Sequence, residues 1–394
     1  MDENVEIVSL DQRPCCVSYL ESVDVFLVGT YQLLNTRDDA RARSQRLSRF
    51  SDDDLESYLI KINYRLGSFV VIREGTNGKF KSVLKYDCQE SGGVFDFIPS
   101  EQDKDKCVIL AAHSNGVFGV HELRHPAGAE VDMSTTTLVD VPGAQMLTCI
   151  DKFSDKQGSI TVGSSDGSIS IIRNGQVVLQ KTCDTTDPIW QVRCIQLNSG
   201  RKLIFIGTEV SSWSVFEMKD TPDANQVSLD LIYRHSLREY NPGITCIVRL
   251  NCDIKVETDD PETLRILVGS YDETLKCYQV AFEAEQDRPK VELICDKQIA
   301  YGGIWRLKQI SDNQNRIDRL YIAAMYAGSY RLVNQGAPNE PLSYEQSEPK
   351  PLFELESYGF KEKPLHYDID YSSRASACCV ADFNNSLCLI KYDR

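Results

Sequence analysis

The chain has 394 residues, 42% of them apolar and 26% charged, the composition of a globular protein rather than a disordered one. Its formal net charge of −15 argues against a protein that tracks nucleic-acid phosphates. No apolar run reaches the length of a helical membrane span, and the opening MDENVEIVSL has no hydrophobic signal core.

The 14 cysteines include no C-x-x-C pair. Cys149, Cys194, Cys246 and Cys277 stand in apolar, strand-like runs, where a thiol behaves as a small buried hydrophobe in a reducing compartment. The expectation is a soluble cytoplasmic protein without disulfides.

In chain order, short apolar runs flank tight polar turns again and again. The hairpin-like units are Val25–Leu34, Val108–Val120, Ile160–Ile172, Ile204–Phe216, Leu267–Val280, Tyr321–Val333 and Ala377–Ile390. Each is preceded by a further short strand, beginning near Cys15, Val94, Leu147, Ile189, Ile244, Ile304 and His366. Many are followed by another, such as Val177–Lys181, Leu229–Arg234 and Val291–Lys297. Four strands per unit and seven units predict an all-β, seven-bladed β-propeller forming one domain over residues 1–394. The last unit lacks its outer strand, and Val5–Leu10 is expected to supply it and close the ring. Long polar segments at Asn251–Thr263, Ser311–Asp318, Arg124–Thr135 and Gln335–Glu348 fall on the bottom face of such a ring. The one large top-face insertion is Asn35–Glu56, with Arg37, Arg41, Arg43, Arg46 and Arg49 among acids; it reads as a flexible surface loop, with a mobile flap over the top face as the alternative.

Aromatic residues recur at matching places. Tyr31, Tyr271, Tyr326 and Phe383 sit at the turn between the second and third strands. Phe95, Trp190, Trp305 and Tyr367 are second in their leading strands, followed by Asp96, Gln191, Arg306 and Asp368, which are placed near the central channel. Blades five, six, seven and one would then share an aromatic, partly acidic top rim. Either these rings pack between blades, or they bind a cation, for which aromatic faces and carboxylates suit a quaternary ammonium.

A literal G-x-S-x-G occurs at Gly163-Ser164-Ser165-Asp166-Gly167. A nucleophile elbow needs a strand-to-helix turn, whereas this one lies between strands, so it is read as structural. Walker and G-x-G-x-x-G motifs are absent from the chain, and the literal H-E-x-x-H at His121-Glu122-Leu123-Arg124-His125 ends an apolar, strand-like run, whereas a zinc site needs it on a helix. The expectation is therefore activity without a metal or organic cofactor. Of the histidines, His235 is read as blade-stabilising, His121 and His125 lie toward a bottom loop, and His113 and His366 map toward the top.

Four stretches carry a family resemblance: GTYQL at Gly29–Leu33, GSYDETL at Gly269–Leu275, GGIWRLK at Gly302–Lys308, and the closing ACCVADFNNSLCLIKY. In this order they resemble the diphthine methyl esterases, WD-repeat proteins of diphthamide biosynthesis. The similarity spans most of the chain and is clearest in blades five to seven. The Trp-Asp signature itself is eroded, with Tyr278-Gln279 in its place in blade five. The resemblance implies a carboxylic ester hydrolase that removes the methyl ester from methylated diphthine on elongation factor 2. That substrate bears a trimethylammonium group, which the aromatic, acidic rim would suit. No nucleophile or base is carried over from the family. Position alone nominates Asp368 or His366 as a base activating water and Arg306 as oxyanion stabiliser, with Ser270 or Thr30 as the alternative nucleophile. Tyr31, Tyr271, Trp305, Tyr326, Tyr367 and Phe383 are the expected substrate-binding residues. The rival reading is a non-catalytic WD scaffold that binds a protein partner.

Overall fold

A computed structural model describes residues 4–34, 51–61, 64–125, 130–155, 157–183, 186–210, 212–221, 226–236, 243–250, 262–283, 286, 288–298, 302–311, 317–324, 328–333 and 365–391. Among these the strands form seven antiparallel sheets. Their leading strands are Arg13–Leu20, Val94–Asp103, Leu147–Lys152, Ile189–Gln196, Ile244–Leu250, Ile304–Ser311 and His366–Ser372. Six of these begin where the apolar pattern puts them, and the first begins two residues earlier. Five sheets have four strands, and a sixth has four strands in order plus a two-residue strand, Arg65–Leu66, paired beside Val25–Leu33. The sheet led by Ile304–Ser311 has three described strands. Residues 334–364, which include the expected insertion Gln335–Glu348, lie outside the described residues, as does Tyr326.

Burial explains the pattern. The second strand Lys202–Thr208 is buried at every position, so it reads as a continuous apolar run. The outermost strand Gln176–Thr182 is exposed or half-exposed throughout. The hairpin turns share a left-handed position, held by Gly116, Gly167, Glu273 and Asn385 at φ of +81°, +79°, +66° and +67°. In the turn at Asp272 the carboxylate accepts the backbone N–H of Thr274 at 3.1 Å, as expected of an Asp there. The G-x-S-x-G stretch is likewise a strand-to-strand turn, and Ser164 Oγ donates to the Met146 carbonyl at 3.0 Å.

By internal contacts the chain divides into two compact units, residues 1–150, 164–166 and 370–394 in the first, and 151–163 and 167–369 in the second. In the first unit, Asn4–Ser9 pairs antiparallel with Ser386–Lys391, in the register Val5 to Ile390 and Ile7 to Cys388. The expected closing strand is therefore the outer strand of the last sheet. Val8 and Leu10 pack on a core that includes Phe26, Ile72, Phe80, Cys379 and Leu389. Deleting residues 1–10 is expected to strip this edge and lower the melting temperature by several degrees, at about 1 °C for each kcal/mol lost in a chain of this length. An unchanged melting curve would show that the strand contributes nothing.

One expectation needs correcting. Residues 35–50 of the supposed flexible insertion lie outside the described residues, but its end is ordered: Asp52–Lys61 is an α-helix. Ser51 caps it, its Oγ accepting the Asp54 N–H at 3.2 Å. Leu55 and Leu59, one turn apart, are fully buried against Leu34 and Leu66. Tyr64, left-handed at φ +55°, ends the segment and donates its N–H to the Leu59 carbonyl at 2.8 Å.

Candidate functional site

Polar side chains on the leading strands bind the neighbouring leading strand. In the first unit, Asp96 accepts the N–H of Ile150 at 3.2 Å, and Asp370 accepts that of Tyr19 at 2.8 Å. In the second unit, Asp151 accepts the N–H of Cys194 at 2.8 Å. Arg193 Nε donates to the Ile247 carbonyl at 3.3 Å, and Arg306 donates to the Thr245 carbonyl at 3.0 Å. Gln191 folds onto the Val192 carbonyl at 2.7 Å. Of the residues placed near a channel, Asp96 and Arg306 thus latch adjacent strands, and such charge-assisted bonds are worth more than neutral ones.

Four aromatic rings meet in the second unit. Trp305 lies at their centre, only 3% exposed. Its ring centroid is 5.5 Å from that of Trp190, 5.8 Å from Tyr271 and 4.8 Å from Tyr367, each tilted by 41–55°. The Arg306 guanidinium carbon lies 5.6 Å from the same ring. Trp190, Tyr271 and Tyr367 are half-buried, so they rather than Trp305 present surface. Glu209 supplies a carboxylate, accepting the Trp190 indole N–H. Gly243 separates it from Tyr271: a Cβ there would stand 2.9 Å from Tyr271 Cε2 and 3.0 Å from Glu209 Oε2. Rings with a carboxylate at their edge make an environment for a soft cation.

The sequence reading placed Trp305, Tyr271 and Tyr367 in one cluster, and they are. It left Trp190 out of the binding set and did not name Glu209. Equivalence to Trp305 in the leading strand was the signal for Trp190. For Glu209, in the turn after Lys202–Thr208, no local pattern exists. Tyr31 and Phe383 belong to the first unit. Tyr31 meets Phe95 edge-on at 5.9 Å, and the Phe383 face is covered by the Arg13 guanidinium at 4.9 Å.

The catalytic candidates have these settings. Ser270, 2% exposed, donates to the Asp272 carboxylate at 2.5 Å. Burial alone would raise that carboxyl, but Lys276, Ser270 and Thr274 outweigh it and hold Asp272 below its ordinary value. Ser270 is thus part of the turn. Thr30, fully buried, bonds to Gln12 at 2.7 Å and to Ser68 at 2.8 Å. His366, also fully buried, lies 2.9 Å from the hydroxyl of Ser329. That is the spacing of a hydroxyl and its base, and Ser329 is a partner the sequence did not suggest. Asp368 is half-buried and accepts the N–H of Ile369 at 2.9 Å.

The motif glycines have a packing role. A Cβ on Gly269 would lie 2.5 Å from Cys246 Sγ and 2.7 Å from Ile304, and one on Gly29 would lie 2.4 Å from Cys16 Sγ. His235 stacks on Trp213 at 5.5 Å and meets Tyr278 at 5.1 Å, the structural placement expected of it. The cysteines among the described residues are free thiols.

No family model matches the chain, and no curated protein does. Among solved structures it is similar to the crystal structure of the WD40 β-propeller domain of Doa1, at 10% identity and a TM-score of 0.56. That match covers 100% of this chain and 98% of the other. The fold is that of a WD40 β-propeller. No helix among the described residues is long and apolar enough to cross a membrane.

Proposed function

We propose that this WD40-type propeller hydrolyses the methyl ester of methylated diphthine on elongation factor 2. The observation that carries the reading is the half-buried ring set Trp190, Tyr271 and Tyr367 around Trp305, with the Glu209 carboxylate beside it. A trimethylammonium group gains from both the ring faces and the negative edge. The motif resemblance supplies the ester. Asp368, next in the chain to Tyr367 and half-buried, is the candidate base for direct attack by water. Arg306 neighbours the cluster and carries the positive charge for the oxyanion.

Kinetics on methylated elongation factor 2 test this. Tyr271→Ala and Tyr367→Ala are expected to weaken binding about five- to thirtyfold, the loss of roughly 1–2 kcal/mol of cation–ring attraction. Asp368→Asn is expected to abolish turnover while leaving binding within about twofold. Ring variants that fold normally and release methanol like the unaltered protein would move the site elsewhere.

A second reading, a non-catalytic scaffold binding protein partners, is favoured by one observation. Ser270, Thr30 and His366 are at most 2% exposed and hydrogen-bonded within the fold. Absence of methanol release by the purified protein decides for it.

A further inference from the structure

The leading strands carry a second feature at their other end. Lys152, Arg193, Arg249 and Lys308, one from each of four successive leading strands, line a cleft of about 470 Å³ in the second unit. Ser154 and Gln196 add polar groups to its wall. Trp190 and Trp305 are second in their strands, whereas Arg193 and Lys308 are fifth. At about 3.3 Å per residue, cleft and rings are about 10 Å apart along the strands.

The charge of this cleft runs against that of the chain. Acidic residues outnumber basic ones 58 to 43 overall, yet among the described residues every charged one lining the cleft is basic. Arg193 is pre-positioned, with Asp151 at 3.5 Å from its guanidinium and its Nε donating to the Ile247 carbonyl at 3.3 Å. Arg249 is exposed and makes no ion pair among the described residues. Arg249 thus stands in one concavity with three further cations, and an anion held there is attracted by all four.

We propose that this cleft binds a small molecule bearing several phosphates. Its volume is in the range of small-ligand pockets. Charge density decides between anions. An extended acidic peptide turns only every second carboxylate toward one wall, about 6.6 Å apart, whereas a triphosphate places several charges within that span. The guanidinium forks of Arg193 and Arg249 match phosphate oxygens in pairs.

Calorimetric titration of the full chain tests the proposal, with inorganic tripolyphosphate, ATP, inositol hexakisphosphate and a poly-glutamate peptide as probes. Tripolyphosphate is expected to bind saturably at a Kd of about 10–100 µM in low salt, weakening about tenfold or more when salt is raised several-fold. Arg249→Glu and, separately, Lys308→Ala are expected to weaken it about tenfold, with melting temperatures unchanged or raised. Tighter binding of ATP or of the hexakisphosphate supports the proposal and identifies the phosphate carrier. Absence of saturable tripolyphosphate binding overturns it. So does affinity unchanged in both folded variants, or a poly-glutamate peptide binding as tightly as tripolyphosphate. Methanol release is a separate readout, so failure of the esterase reading leaves this result intact.

Discussion

Replacing Trp305 by alanine is expected to lower the unfolding free energy by about 3–5 kcal/mol, the range for removing a large aromatic from a packed core. The indole is 3% exposed and touches three other rings. Those rings come from the strands Ile189–Gln196 and His366–Ser372 and from the turn at Tyr271, so no single hairpin can close the cavity. Denaturant titration of the variant beside Trp190→Ala checks this. Trp190 is half-buried, and its loss is expected to cost clearly less. A cost below about 1 kcal/mol for Trp305→Ala would mean that the rings do not pack around it.

This bears on how the proposed site can be tested. A variant that loses several kcal/mol also loses activity by unfolding. Lost turnover in Trp305→Ala therefore says nothing about cation binding. The half-buried Tyr271 and Tyr367 carry that question, since truncating them opens no enclosed cavity.

The repeat was legible because burial and turn chemistry act locally. Runs such as Leu203–Ile206 and Ala377–Ala381 are fully buried, so they stay apolar, and the turns at Asp272 and Asp166 need polar or left-handed residues. The depth of a ring was not legible. Trp190 and Trp305 hold equivalent positions, yet one is half-buried and the other enclosed, because depth depends on neighbours far away in sequence. Glu209 and Ser329 were missed for the same reason: each is defined by a partner from another strand, Trp190 or His366. The helix Asp52–Lys61 was missed because only Leu55 and Leu59 mark its apolar face.

The buried pair His113 and His121 in the first unit is expected to make stability fall between neutral pH and about pH 4. Their Nε2 atoms are 2.9 Å apart, and His121 Nδ1 lies 3.0 Å from the Thr135 hydroxyl. Gly119 leaves room for them, since a Cβ there would stand 2.6 Å from both ring nitrogens. Phe69 and Tyr86 cover His121 edge-on. Burial pushes His121 down from 6.5 to about 4, and burial with the neighbouring His121 pushes His113 well below its ordinary value. Both are neutral in the folded protein at pH 7. As pH falls below 6.5 the unfolded chain takes up protons that the folded one refuses, so the stabilisation present above 6.5 is progressively lost. At about 1.4 kcal/mol per pH unit, His121 alone accounts for about 3 kcal/mol by pH 4. Most of that window lies above the ordinary carboxyl value of Asp155 and Asp272, which burial would raise but their lysine partners hold lower still. His121→Gln keeps a hydrogen-bonding side chain without the titration. Denaturant titrations from pH 7 to pH 4 are expected to show a markedly shallower loss in this variant. Parallel curves for the two proteins would place the acid sensitivity elsewhere.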